Sequence, residues 1–192
     1  MATLTITTSL TTLIKDSIEE DVGVTRDALL KVEACLGTFL KEMGRNMARI
    51  LDIANLVTVS ADVVMLYADV GLHLSLAVRD RLNLVMQQDP IRPDDETVKR
   101  VSKSKQYGLK LAMKRVMDIL DQGMQEQLTQ KYNYSLSARV GCTWLAEQVT
   151  LHFLSDAVKQ MQEMDKGVVK KLRGIDFTEN WFHKYIGSQE MY

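Results

Sequence analysis

The residues that could carry chemistry do not combine into a reactive set. His73, His152 and His183 lie far apart, without the spacing that a metal needs from its ligands. Cys35 and Cys142 are isolated, and no base stands near Cys142 in sequence to stabilise a thiolate, so a buried thiol is the default. No acid, base and nucleophile are placed as an enzyme would need them. Asn133-Tyr134-Ser135 fits a glycosylation pattern, but the chain is read as unexported and the match as chance. Two kinds of polar chemistry remain. Thr25 and Ser60 are hydroxyls suited to capping helix N-termini. Lys170-Lys171-Leu172-Arg173 is a basic run that can neutralise phosphate, and by itself is also an ordinary solvated loop.

These groups need a scaffold, and the chain repeats one. Its 192 residues are 46% hydrophobic, with two prolines, ten glycines and 6% aromatics, which suits an all-α protein. Eleven methionines suit helix surfaces that adapt in shape. No apolar run approaches the roughly 20 residues that span a bilayer. The isolated cysteines fit a reducing compartment. Residues 1–95 hold 9 lysines and arginines against 14 aspartates and glutamates, hence −5. Residues 96–192 hold 15 against 11, hence +4. Bulk charge therefore does not announce nucleic-acid binding, and any such binding must come from placed groups.

Met1–Ser9 is Thr-rich without helical period and reads as a flexible end. Leu10–Glu20 predicts a short amphipathic helix, broken by Asp21-Val22-Gly23-Val24. From Thr25, apolar residues recur every three or four positions to Ala54, a helix of about 28 residues. Leu56-Val57-Thr58-Val59 predicts a brief strand, and Ser60 caps the next helix. Leu72–Met86 predicts another helix. Asp89–Glu96, with Pro90 and Pro93, is the linker between a first half at 10–88 and a second at 97–192. The second half repeats the series: a short helix within Gly108–Gly123, a less periodic stretch over Met124–Leu136, and a long helix from about Ser137. Val140, Trp144, Leu145, Val149, Phe153, Leu154, Ala157, Val158, Met161 and Met164 face inward along it. An extended basic loop over Gly167–Gly174 and a closing helix over Ile175–Ile186 follow. A long helix with short arms cannot bury its stripe alone, so the two halves are expected to clasp each other, their loops side by side.

The order of these pieces resembles the histone fold, and more closely a fused histone doublet of two-B/two-A type, as known from giant DNA viruses such as the marseilleviruses. In the first half, Asp21-Val22-Gly23-Val24-Thr25-Arg26-Asp27-Ala28 and Thr58-Val59-Ser60 resemble the two loops of histone two-B. In the second, Gly108-Leu109, Arg115-Val116, Leu120 and Gly123 resemble the first helix of histone two-A, Trp144-Leu145-Ala146 its long helix, and Lys170-Lys171-Leu172-Arg173 its second loop. The resemblance covers roughly 10–186. It departs in lacking basic tails, in the uncharged loop Asn55-Leu56-Val57-Thr58, and in about ten extra residues near Met124–Asn133. The family's acidic docking cluster is thinned to residues such as Glu147 and Asp156.

The resemblance implies two fused histone folds in an intramolecular handshake, and an architectural role without enzymatic activity, cofactor, metal or small-molecule substrate. Its implied partners are double-stranded DNA, held by its backbone, and a doublet of histone four and three type. Its implied location is the virion and the viral replication site or nucleus of the infected cell. The nominated DNA ligands are Thr25, Arg26, Thr58, Ser60, Lys114, Arg115, Arg139, Lys170, Lys171 and Arg173, since paired loops and minor-groove arginines do this work in the nucleosome. The implied assembly surface comprises Met47, Ile50, Leu51, Val63, Leu66, Tyr67 and Val70. The alternative is a histone-fold scaffold that binds proteins without wrapping DNA.

Overall fold

The computed structural model describes residues 6–91, 102–127, 130–165 and 171–177. The first half contains α1 (Ile6–Ser17), β1 (Gly23–Val24), α2 (Arg26–Ala54), β2 (Thr58–Val59), α3 (Ala61–Leu66, continued by a π turn at Tyr67–Gly71) and α4 (Leu76–Gln87). The second contains α5 (Lys103–Gln106), α6 (Met113–Gln125), β3 (Asn133–Tyr134), α7 (Leu136–Asp165), β4 (Lys171–Leu172) and a 3-10 turn at Gly174–Asp176.

The long helix of the first half forms as its pattern dictates. Thr25 accepts the Ala28 N–H at the start, and Asp27 sits in the first turn, where the helix dipole favours an anion. Asn55 ends the helix at φ 51, in the left-handed region that asparagine tolerates. Ala28, Val32, Leu36, Phe39, Leu40, Met43, Met47, Ala48 and Leu51 form its buried stripe. The second long helix is buried more broadly. Every residue from Val140 to Glu147 is covered, because α3, α4, α6 and α2 all pack on α7. Met164, expected inward, is 53% exposed, since the packed stretch ends at Met161.

The halves meet crosswise, which makes the chain an all-α intramolecular handshake of two histone-like folds. β1 pairs in parallel with β4, Gly23 opposite Lys171 and Val24 opposite Leu172. β2 pairs in parallel with β3, Thr58 opposite Asn133 and Val59 opposite Tyr134. Each loop of one half therefore finds its hydrogen-bond partner on the other. The Thr25 N–H and hydroxyl both donate to the Leu172 carbonyl, at 3.0 Å each. One continuous core runs through both halves.

Several boundaries differ from expectation. The first helix begins at Ile6, not Leu10, and Ser9 is 3% exposed, so residues 6–9 are not a loose end. Their order comes from distant contacts: Thr7 Oγ1 donates to Glu33 Oε1 at 2.6 Å, and Ser9 Oγ accepts the Ala112 N–H at 3.0 Å. The helix expected from Leu72 starts at Leu76, because His73 turns left-handed (φ 49) and Ser75 caps from outside. The second half's first helix is shifted to Met113–Gln125 and includes Met124, which is fully buried. Gly108 (φ 68) lies in the turn between α5 and α6. The extended loop expected from Met124 is correspondingly shorter. Its end is held by Asp121, which accepts the hydroxyls of Tyr132 and, at 3.3 Å, Tyr134. The closing helix expected over Ile175–Ile186 lies mostly outside the described residues; its start is a 3-10 turn.

Candidate nucleic-acid interface

The crossed loops gather the nominated residues into two groups, each built from both halves. At β1–β4, Thr25 and Arg26 stand beside Lys171 and Arg173. At β2–β3, Thr58 and Ser60 stand beside the start of α7, where Ser135 accepts the Ala138 N–H at 3.1 Å. Lys114, Arg115 and Arg139 share one groove with Tyr134 of β3. Arg26, Thr58, Lys114, Arg139 and Lys171 are exposed, and Thr25, Ser60, Arg115 and Arg173 are partly so. Arg139 thus belongs with the second group despite the lengthened loop before it. Lys170 lies outside the described residues.

The electrostatics of the groups differ from a plain row of cations. Arg173 is tied to Asp176, a residue 1% exposed: its N–H donates to Oδ2 at 2.7 Å and its guanidinium to Oδ1 at 3.4 Å. Arg115 faces Asp118 at 3.6 Å. Asp27 accepts the Gly174 N–H at 2.7 Å and so joins the two halves at this junction. The Thr25 hydroxyl and then the Gly174 N–H hold its carboxyl below the usual range. Ser60 occupies the cap position of α3, but its side chain makes no capping bond, so its hydroxyl is not engaged in the way expected.

The Asp27 junction makes a pH prediction. A carboxyl whose folded pKa is lowered adds stability above its ordinary value of 3.8 and loses it as pH falls through the folded value. Asp27→Asn should therefore melt below the wild type at pH 7, and the gap should close as pH drops below 3.8. Thermal melts across that range check it; a gap constant with pH would contradict the assignment.

Residues missed in the sequence also line the second group. Lys103, Lys105 and Lys110 border the same groove as Lys114 and Arg139. The alternating Ser102-Lys103-Ser104-Lys105 run was the available signal. Glu147, counted above among acidic docking residues, is 7% exposed and turned inward. It cannot face a partner, while Asp156 is exposed.

The expected assembly surface is corrected in part. Met47, Leu51, Val63 and Tyr67 are all at most 3% exposed and belong to the chain's own core. The handshake consumes them, because α7 packs against α2 and α3. Leu66 (46%) and Val70 (51%) are exposed, Ile50 is half-buried, and Ile53, one turn further along α2, is 87% exposed. A smaller apolar surface is left at this end of the first half.

Among the described residues, no group of histidine, cysteine, aspartate and glutamate could hold a metal. None of their helices is long and apolar enough to cross a membrane. Burial pushes the Cys142 thiol up to about 12, which makes it a poor nucleophile. No protein-family model matches the chain, and no curated protein matches it.

Proposed function

We propose that this chain is an architectural DNA-packaging protein, a viral histone doublet of two-B/two-A type. In this reading it joins a doublet of histone four and three type in a nucleosome-like particle, in the virion and at the replication site or nucleus of the infected cell. The observation that carries the reading is the crosswise loop pairing. At one place it sets Thr25 and Arg26 of the first half beside Lys171 and Arg173 of the second, and at the other it sets Thr58 and Ser60 of the first half beside the start of α7, near the groove that Arg139 lines. Sequence-independent DNA wrapping needs such an array: main-chain and hydroxyl groups on phosphate, and arginine in the minor groove. Ile53, Leu66 and Val70 are the apolar surface on which the partner doublet would seat. No catalytic step, cofactor or metal enters.

The test is reconstitution with the partner doublet and about 147 base pairs of DNA, followed by nuclease digestion. A protected fragment is expected at low salt, and its absence there would count strongly against wrapping. Arg115→Ala combined with Arg173→Ala should weaken protection and flatten the salt dependence by about two charges. Unchanged protection would remove both residues from the interface.

The second reading is a scaffold that binds proteins without wrapping DNA. The carboxylates set against Arg115 and Arg173 favour it, because they reduce the positive field offered to phosphate. Association with DNA at moderate salt separates the two readings.

A further inference from the structure

Beside the second loop pair lies a groove of about 660 Å³, within the range of ligand-binding clefts. Its lining joins two chemistries. Leu109, Met113 and Met117 supply an apolar part. Lys103, Lys105, Lys114 and Arg139 border it, and among the described residues none of these four has an ion-pair partner. The two carboxylates in the lining are outnumbered by its cations, and each has a partner at the groove or beside it. Asp118 faces Arg115 at 3.6 Å, and Asp121 accepts from Tyr134 at 3.3 Å and from Gln125 at 2.7 Å. The groove therefore keeps a positive border around an apolar lining.

We propose that this groove seats an acidic peptide that carries apolar anchor side chains, supplied by a protein partner. Carboxylates of such a peptide would pair with the four cations, and one or two leucine or phenylalanine side chains would cover the methionines. A duplex backbone satisfies only the first half of this pattern, since hydrated phosphate has no use for a concave apolar lining. The proposal shares Lys114 and Arg139 with the DNA reading but does not rest on it.

The experiment uses the full chain and two fluorescent peptides of equal length and equal acidic charge. One intersperses leucine and phenylalanine; the other has serine at those positions. The apolar peptide should bind about tenfold more tightly or better, equivalent to about 1.4 kcal/mol. It should also shift the methyl resonances of Met113 and Met117, core residues that reach the groove (5% and 9% exposed), and leave those of Met43 and Met47, both 0% exposed and away from it, in place. Lys103→Glu with Lys114→Glu should weaken it about tenfold or more, while Lys15→Glu with Lys159→Glu, the same charge change elsewhere, should not. Equal affinity for the two peptides would overturn the proposal, as would unmoved Met113 and Met117 methyls. A DNA duplex that moved those methyls as strongly as the peptide would overturn it too. Nuclease protection is read separately, so failure of one reading is distinguishable from failure of the other.

Discussion

Gly44→Ala is expected to destabilise the fold by about 3 kcal/mol or more, and Gly123→Ala by a similar amount. A Cβ at Gly44 would lie 2.1 Å from the Leu120 carbonyl oxygen and 2.9 Å from the Met124 nitrogen. A Cβ at Gly123 would lie 2.0 Å from the Lys41 carbonyl oxygen. Both obstacles are backbone, so no side chain can rotate aside, and α2 and α6 would have to separate. That contact is where the first half's long helix meets the second half's first helix, so separation strains the whole handshake. For a chain of this size the loss is a fall in Tm on the order of 10 °C. Gly37→Ala is the matched control. Nothing lies within 4 Å of a Cβ there, and alanine in a helix interior should add about 0.5–1 kcal/mol. Thermal or urea melts of the three variants suffice. If Gly44→Ala melted within a degree or two of the wild type, the close crossing would be wrong.

The second large effect is expected at Glu147. Ala112, at the cap position of α6, makes no side-chain capping bond. The N–H groups entering that helix are instead met from three other elements. Glu147 Oε1 on α7 accepts from Lys110 and, at 2.7 Å, from Leu111; Ser9 on α1 accepts from Ala112; Ser104 on α5 accepts from Met113 at 2.8 Å. Glu147→Ala would leave two donors without acceptors, one of them on the fully buried Leu111, at a cost of about 2–4 kcal/mol. Glu147→Gln keeps a carbonyl oxygen and should lose much less. Burial raises the Glu147 carboxyl, opposed by the Leu111 and Lys110 N–H groups. A folded pKa above the ordinary 4.5 means that the folded state takes up its proton first. The wild type should therefore gain stability relative to Glu147→Gln as pH falls through the raised value, with the gain complete below 4.5. A difference that grew in the opposite direction would show the carboxylate to be stabilised, not strained, by its surroundings.

Much of this structure was legible in the residues, because helices are local. Hydrogen bonds of α2 close over four residues, and its stripe from Ala28 to Leu51 has the helical spacing that any reader of the chain finds. The Thr25 cap and the short strand at Thr58–Val59 were legible for the same reason, whereas Gly23–Val24 and Asn133–Tyr134 become strands only by pairing with the other half. The nominated cations could be found by type and order. What they face could not. Asp27 meets Gly174 across 147 positions, and Ser9 meets Ala112 across 103, so neither bond leaves a mark in any short window. The same distance hid the fate of Met47, Leu51, Val63 and Tyr67, which look like a free apolar surface until α7 covers them.

By itself, then, the chain determined its two long helices, the Thr25 cap and the need for a second half to cover the first, since all three follow from backbone bonding and side-chain period within about 30 residues. Only the tertiary structure decided which glycines lie at the α2–α6 crossing, which carboxylates restrain Arg115 and Arg173, and that Glu147 turns inward. Those outcomes depend on helices approaching from distant parts of the chain, where packing distance and desolvation, not local propensity, determine the result.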